Sequence, residues 1–169
     1  MSASFEALQP WIFPSFMLVG LASIGYRMWR GVSALRAQGR SIRPSLPTDA
    51  LFAESGASGN SERSFMTRMG GASRVLLVWV TRREFVVECI FPFNVYMYEN
   101  PFDLEHRIPI KSLTSVEEGA NRAVFVSFYD SKHEAHKLRL IVKNPAALVV
   151  ALRSLGTPSI NSRERTRAG

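Results

Sequence analysis

The sequence predicts an α+β chain: an apolar N-terminal helix, a run of six or seven short antiparallel strands, and one closing amphipathic helix. Three observations predict it. Residues 7–26 carry no charge. Most apolar runs after residue 51 are short, rich in Val, Ile, Phe and Tyr, and separated by turn residues. The hydrophobic period turns helical again only after Asn144. With 169 residues there is room for one ordinary domain and extensions, and 46% hydrophobic with 21% charged residues excludes wholesale disorder.

The first element is expected to be a single-span membrane anchor over residues 1–30. From Trp11 the stretch is almost continuously apolar, and Trp11 to Trp29 covers about 27 Å as a helix, close to a hydrocarbon thickness of about 30 Å. Phe16 and Leu18 lie within it, while Trp11 at one end and Tyr26 and Trp29 at the other fit interfacial aromatic belts. Pro14 is placed in the first turn, where its missing N–H costs nothing. A cleaved signal peptide fits less well, because no Lys or Arg precedes the apolar run. Arg27, Arg30 and Arg36 follow the span, with Arg40 and Arg43 beyond. The positive-inside bias then puts the N-terminus outside and the rest in the cytoplasm, with these arginines near lipid headgroups. A single cysteine, Cys89, cannot form an internal disulfide and suits a reducing compartment.

Residues 31–50 lose periodicity and collect Ser, Gly, Pro and Arg, which reads as a basic juxtamembrane linker. The domain follows over 51–156. Ser73 to Thr81 and Glu84 to Phe91 form a hairpin candidate about Arg82-Arg83. Pro92 interrupts it, and Asn94 to Tyr98 is expected to resume as a strand. His106 to Leu113 alternates with Ile108 and Ile110 on one face. Val124, Val126 and Phe128 alternate with Phe125, Ser127 and Tyr129. After a polar turn, Leu138, Leu140 and Val142 share an inner face. Asn144 is a candidate N-cap, Pro145 suits the first helical position, and Leu148, Val149, Leu152 and Leu155 make the apolar face of a helix that Gly156 ends. Such a run of strands with one terminal helix predicts a curved sheet or open barrel plugged by that helix. Residues 157–169 read as a disordered basic tail.

This pattern resembles the pleckstrin-homology-like (PH-like) superfold, a β-barrel or orthogonal sandwich of seven antiparallel strands capped by a C-terminal helix, and in particular its membrane-anchored bacterial members. The resemblance is carried by Leu51 to Gly56, the hairpin Val75 to Phe91, the segment Asp103 to Leu113 leading into Ser115-Val116-Glu117, and the helix from Asn144. It implies binding of lipid headgroups, peptides or protein surfaces rather than catalysis. Lipid-binding members gather basic residues on the first two strands and the loop between them. Here Arg63, Arg68 and Arg74 occupy that region as a possible headgroup clamp, with Glu54 and Glu62 intruding.

The charge is uneven. Of the net +7, residues 1–26 carry −1 from Glu6, residues 27–50 carry +4 and the tail +2, which leaves the domain over 51–156 with only +2. A nearly neutral domain argues against nucleic acid as a partner. No phosphate-cradling glycine motif or nucleophile elbow is present, and no cofactor is expected. His133-Glu-Ala-His136 has its histidines three apart in a polar turn, where zinc hydrolases need four on one helix face, so no metal is expected either. The expected role is a membrane-tethered, non-enzymatic module that holds a protein partner, with anionic-lipid binding as the alternative. The aromatic run Phe91 to Tyr98 is either a covered strand or a contact surface.

Overall fold

Val, Leu and Trp between Ala72 and Val80, and Phe and Val between Glu84 and Cys89, form two strands, β2 (Ala72–Val80) and β3 (Glu84–Cys89), joined at Arg82-Arg83. This expected hairpin lies in a computed structural model that describes residues 3–156, with backbone alone for 3–13 and Met66. The remaining elements are α1 (Ala3–Ala37), β1 (Phe52–Ser61), α2 (Phe65–Met69), α3 (Phe93–Tyr96), β4 (His106–Pro109), a 3-10 turn (Ile110–Ser112), β5 (Leu113–Glu118), β6 (Ala123–Tyr129), β7 (Ala135–Ile141) and α4 (Pro145–Ser154). The expected tail over 157–169 lies outside the described residues.

The strands form one open antiparallel sheet in the order β4-β3-β2-β1-β7-β6-β5. This corrects the expected barrel or two-sheet sandwich: β4 and β5 are the two edges, unpaired with each other among the described residues. β1 makes continuity possible. It pairs with β2 from Phe52 as far as Gly59, and its last four residues, Ser58 to Ser61, pair with β7. Register shifts on either side of Ala57, beside Gly56 at φ +81°, let the strand turn between partners. Gly59 sits where β7 crosses closest: a β-carbon there would stand 2.9 Å from the Arg139 carbonyl and from Leu140.

One face carries the main core, Leu76, Val78, Phe85, Val87, Val116, Val126, Leu138 and Leu140 among others, closed by Leu148, Val149 and Leu152 of α4. Burying each such side chain contributes about 1.5–3 kcal/mol. The Asn144 side chain accepts from the Ala147 N–H at 3.1 Å, the expected cap, with Pro145 opening the helix. On the opposite face of β2 and β3, Leu77, Trp79 and Val86 form a second, smaller core against Ala50 and Ile90. Residues 38–50 therefore run against the domain, anchored where Leu51 N–H donates to the Val80 carbonyl.

Two further expectations are corrected. Among the described residues no helix is long and apolar enough to cross a membrane. The single-span anchor, its N-out orientation and the cytoplasmic placement that depended on it are overturned. The physical reason lies in α1. It starts well before the apolar run, which puts Pro14 in its interior, and its second half carries Arg27, Arg30 and Arg36 and is seated on the domain at Gly31 and Leu35. Asn94 to Tyr98 is also not a strand: Asn94, Tyr96 and Met97 N–H groups bond back to Ile90, Pro92 and Phe93 carbonyls, making the short helix α3.

Candidate functional site

α1 is about 52 Å long at its 35 residues, and among its described side chains those that are covered lie in its C-terminal part. Gly31 is buried against Val95 of α3, Leu35 is fully buried, and the Arg27 and Arg30 guanidiniums lie 5.5 Å and 6.0 Å from the Tyr96 and Tyr98 ring centroids. The chain leaving α1 continues the contact. Asn94 Nδ2 donates to the Ile42 carbonyl at 2.9 Å, and Arg43 lies over Phe91 at 5.4 Å. Of the arginines expected to face headgroups, all three exposed, Arg27 and Arg30 lie over the domain's tyrosines and Arg36 stands apart from them. Of the residues expected in the anchor, Phe16 is 75% exposed, Leu18 67%, Tyr26 57% and Trp29 66%. The side chain of Trp11 lies outside the described residues. Phe91, Phe93 and Tyr96 are also exposed, so the aromatic run is in part a surface.

Next to this seat lies an ion network. Arg40 reaches Glu105 at 3.0 Å and Glu88 at 3.4 Å, and Arg107 reaches Glu88 at 2.9 Å. Both carboxylate side chains are nearly buried, and burial pushes the Glu105 carboxyl above its usual range against the pull of Arg40. Glu105 also accepts from the Cys89 N–H at 3.2 Å. Burial, with Glu105 beside it, pushes the Cys89 thiol up to about 12, the state of an inert thiol.

Across the sheet, the loop before β4, β4 itself, the β6–β7 turn and β7 bring Asp103, His106, Asp130 and His136 together. His136 Nδ1 is 3.1 Å from Asp103 Oδ2, and its Nε2 is 3.3 Å from Asp130 Oδ2. His106 Nε2 is 3.4 Å from Asp103 Oδ1 and 2.9 Å from the Asp103 carbonyl. Phe128 stacks on the His136 ring at 5.1 Å and 12° and receives His106 edge-on. Burial lowers the His106 pKa from its ordinary value. Asn100 shapes the loop: its Oδ1 accepts from Leu104 and Glu105 N–H, its Nδ2 donates to the Glu105 carbonyl, and Asp103 is left in the left-handed region at φ 52°. His133 takes no part, being exposed in the turn. Sequence spacing paired His136 with His133, whereas the fold pairs it with His106.

No family model and no curated protein matches the chain.

The expected headgroup residues are spread over three elements. Arg63 follows β1 and is paired with Glu134. Arg68 lies on α2 and Arg74 on β2, both exposed and without an ion pair among the described residues.

Proposed function

We propose that this chain is a non-enzymatic binding and scaffolding module that holds a protein partner on α1 and the aromatic surface beside it. The observation that carries the reading is a helix fixed to its domain at one end while Phe16, Met17, Leu18, Val19, Tyr26 and Trp29 stay more than half exposed. Isolated exposed hydrophobics need no explanation, but a contiguous set marks a contact surface. Composition favours protein. Protein interfaces are enriched in Tyr, Trp, Phe, Met and Arg and depleted in Lys, Glu and Asp, and residues 7–48 contain no Lys, Glu or Asp at all. Trp29, Tyr26 and the arginines stacked on Tyr96 and Tyr98 have the chemistry of binding hot spots.

The test is photo-crosslinking of the full chain in its source cells, with the crosslinker placed at Trp29, at Tyr96, or at the exposed Tyr129 on β6. One protein captured in stoichiometric amount from Trp29 and Tyr96 but not from Tyr129, and lost in a Tyr26→Ala/Phe16→Ala variant, is expected. Adducts with lipid alone, or equal capture from Tyr129, would sink the reading.

A further inference from the structure

We propose that Asp103, His106 and His136 form a binding site for a divalent transition-metal cation of the zinc class. One ligand atom from each of the three lies within 4.8 Å of the others. Two imidazoles and a carboxylate are the donor set that zinc-class ions take, and they suit Mg²⁺ or Ca²⁺ poorly. Spacing agrees. Bonds of about 2.0–2.1 Å in a tetrahedron separate neighbouring donors by about 3.4 Å; Asp103 Oδ2 stands 3.1 Å from His136 Nδ1 and its Oδ1 3.4 Å from His106 Nε2, so a small turn of the carboxylate brings one oxygen between the two rings.

The surroundings do what supporting groups do at such sites. Metal-bound histidines characteristically give their other ring N–H to a carboxylate, which fixes tautomer and orientation. With Nδ1 of His136 facing Asp103, its Nε2 faces Asp130 at 3.3 Å. Asp130 is itself held by the Lys132 and Glu134 N–H groups, each at 2.8 Å. Ser61 Oγ donates to Asp103 Oδ2 at 2.8 Å, and Phe128 fixes the plane of the His136 ring. The side chains of His136, His106 and Asp103 are 3%, 12% and 15% exposed, so the donors are sheltered yet reachable. A cleft lined by His106, Ile108, Phe128 and Asp130 gives access. His106 Nε2 also lies against the Asp103 carbonyl; the cation replaces that contact, and the ring proton moves to Nδ1. Glu134, the other acid near His136, pairs with Arg63 instead.

The experiment is equilibrium dialysis of the full chain against Zn²⁺, with Co²⁺ as a spectroscopic probe. One cation per chain, a tetrahedral Co²⁺ visible spectrum, and no uptake of Mg²⁺ or Ca²⁺ are expected. His106→Gln should abolish binding. Asp130→Asn should weaken it 10- to 100-fold as a positioning residue, and His133→Gln should leave it unchanged. Absence of stoichiometric uptake by the unaltered chain overturns the proposal. So does binding that survives His106→Gln or is lost in His133→Gln. Should His136→Gln fail to fold, the His106 and Asp130 variants and the unaltered chain decide the matter.

Discussion

Gly31 of α1 packs so closely on Val95 of α3 that a β-carbon at residue 31 would overlap the Val95 carbonyl. This contact sets where α1 leaves the domain. Val95 is fully buried and belongs to backbone that cannot give way cheaply. Gly31→Val is therefore expected to lift α1 off α3, with a cost of about 1–3 kcal/mol typical of overpacking. Limited trypsin digestion reads it out: Arg27 and Arg30, now stacked on tyrosines, should be cut faster in the variant. Equal cutting rates would show that Gly31 does not hold the helix.

Arg40 is a second fastening, from the segment after α1 to the strand core. Removing it strands the buried Glu105 carboxylate, while Glu88 keeps Arg107 at 2.9 Å. Breaking a buried pair costs about 3–5 kcal/mol; since Arg40 is a quarter exposed, screening by solvent brings the expected loss to about 2 kcal/mol. Arg40→Ala combined with Glu105→Gln should lose less than the two single changes summed, because the second removes the stranded charge. Urea unfolding of the four proteins measures this, and simple additivity would rule out the coupling.

Cys89 gives a pH signature. Its thiol titrates near 12 in the folded chain against 9.0 for a free cysteine, burial being the main cause. A folded-state value above the unfolded one contributes stability that is complete below pH 9 and is lost as pH rises toward 12. Within that window the loss is about 1.4 kcal/mol per pH unit. Cys89→Ala should flatten this part of the stability profile while other alkaline titrations remain. Iodoacetamide at pH 8 should leave native Cys89 unmodified and label it on unfolding; rapid labelling of the native chain would contradict the burial.

Much of the domain is legible in the sequence because local pattern and tertiary need agree. β6 and β7 alternate with period two, and α4 has its cap, its opening proline and its apolar stripe. β1 is illegible: Phe52-Ala-Glu-Ser-Gly-Ala-Ser-Gly-Asn-Ser61 is small and polar, and the pairing demanded by β2 and β7 makes it a strand. The aromatic run misleads in the other direction. Its strand-forming residues are overridden by short-range backbone bonds after Pro92, and they pack against α1. The uncharged N-terminal stretch reads as a span from its apolar length, its flanking aromatics and the arginines that follow, but its continuation into Gly31 and Leu35 seats the helix on the domain. The histidine cluster has no local signal, since His106 and His136 lie 30 residues apart and meet only through the sheet.

Two glycines give opposite expectations for the same substitution. Gly25, on the exposed part of α1, has nothing within 4 Å of a built β-carbon, so Gly25→Ala should stabilise the helix by up to about 1 kcal/mol through backbone propensity. Gly59, at the crossing of β1 and β7, meets the Arg139 carbonyl and Leu140 at 2.9 Å and Leu76 at 3.2 Å, so Gly59→Ala must push strands apart. A loss of about 1–3 kcal/mol is expected there. Thermal melts of the two variants decide it. If Gly59→Ala melts no lower than Gly25→Ala, β1 does not make the close crossing that joins the two halves of the sheet.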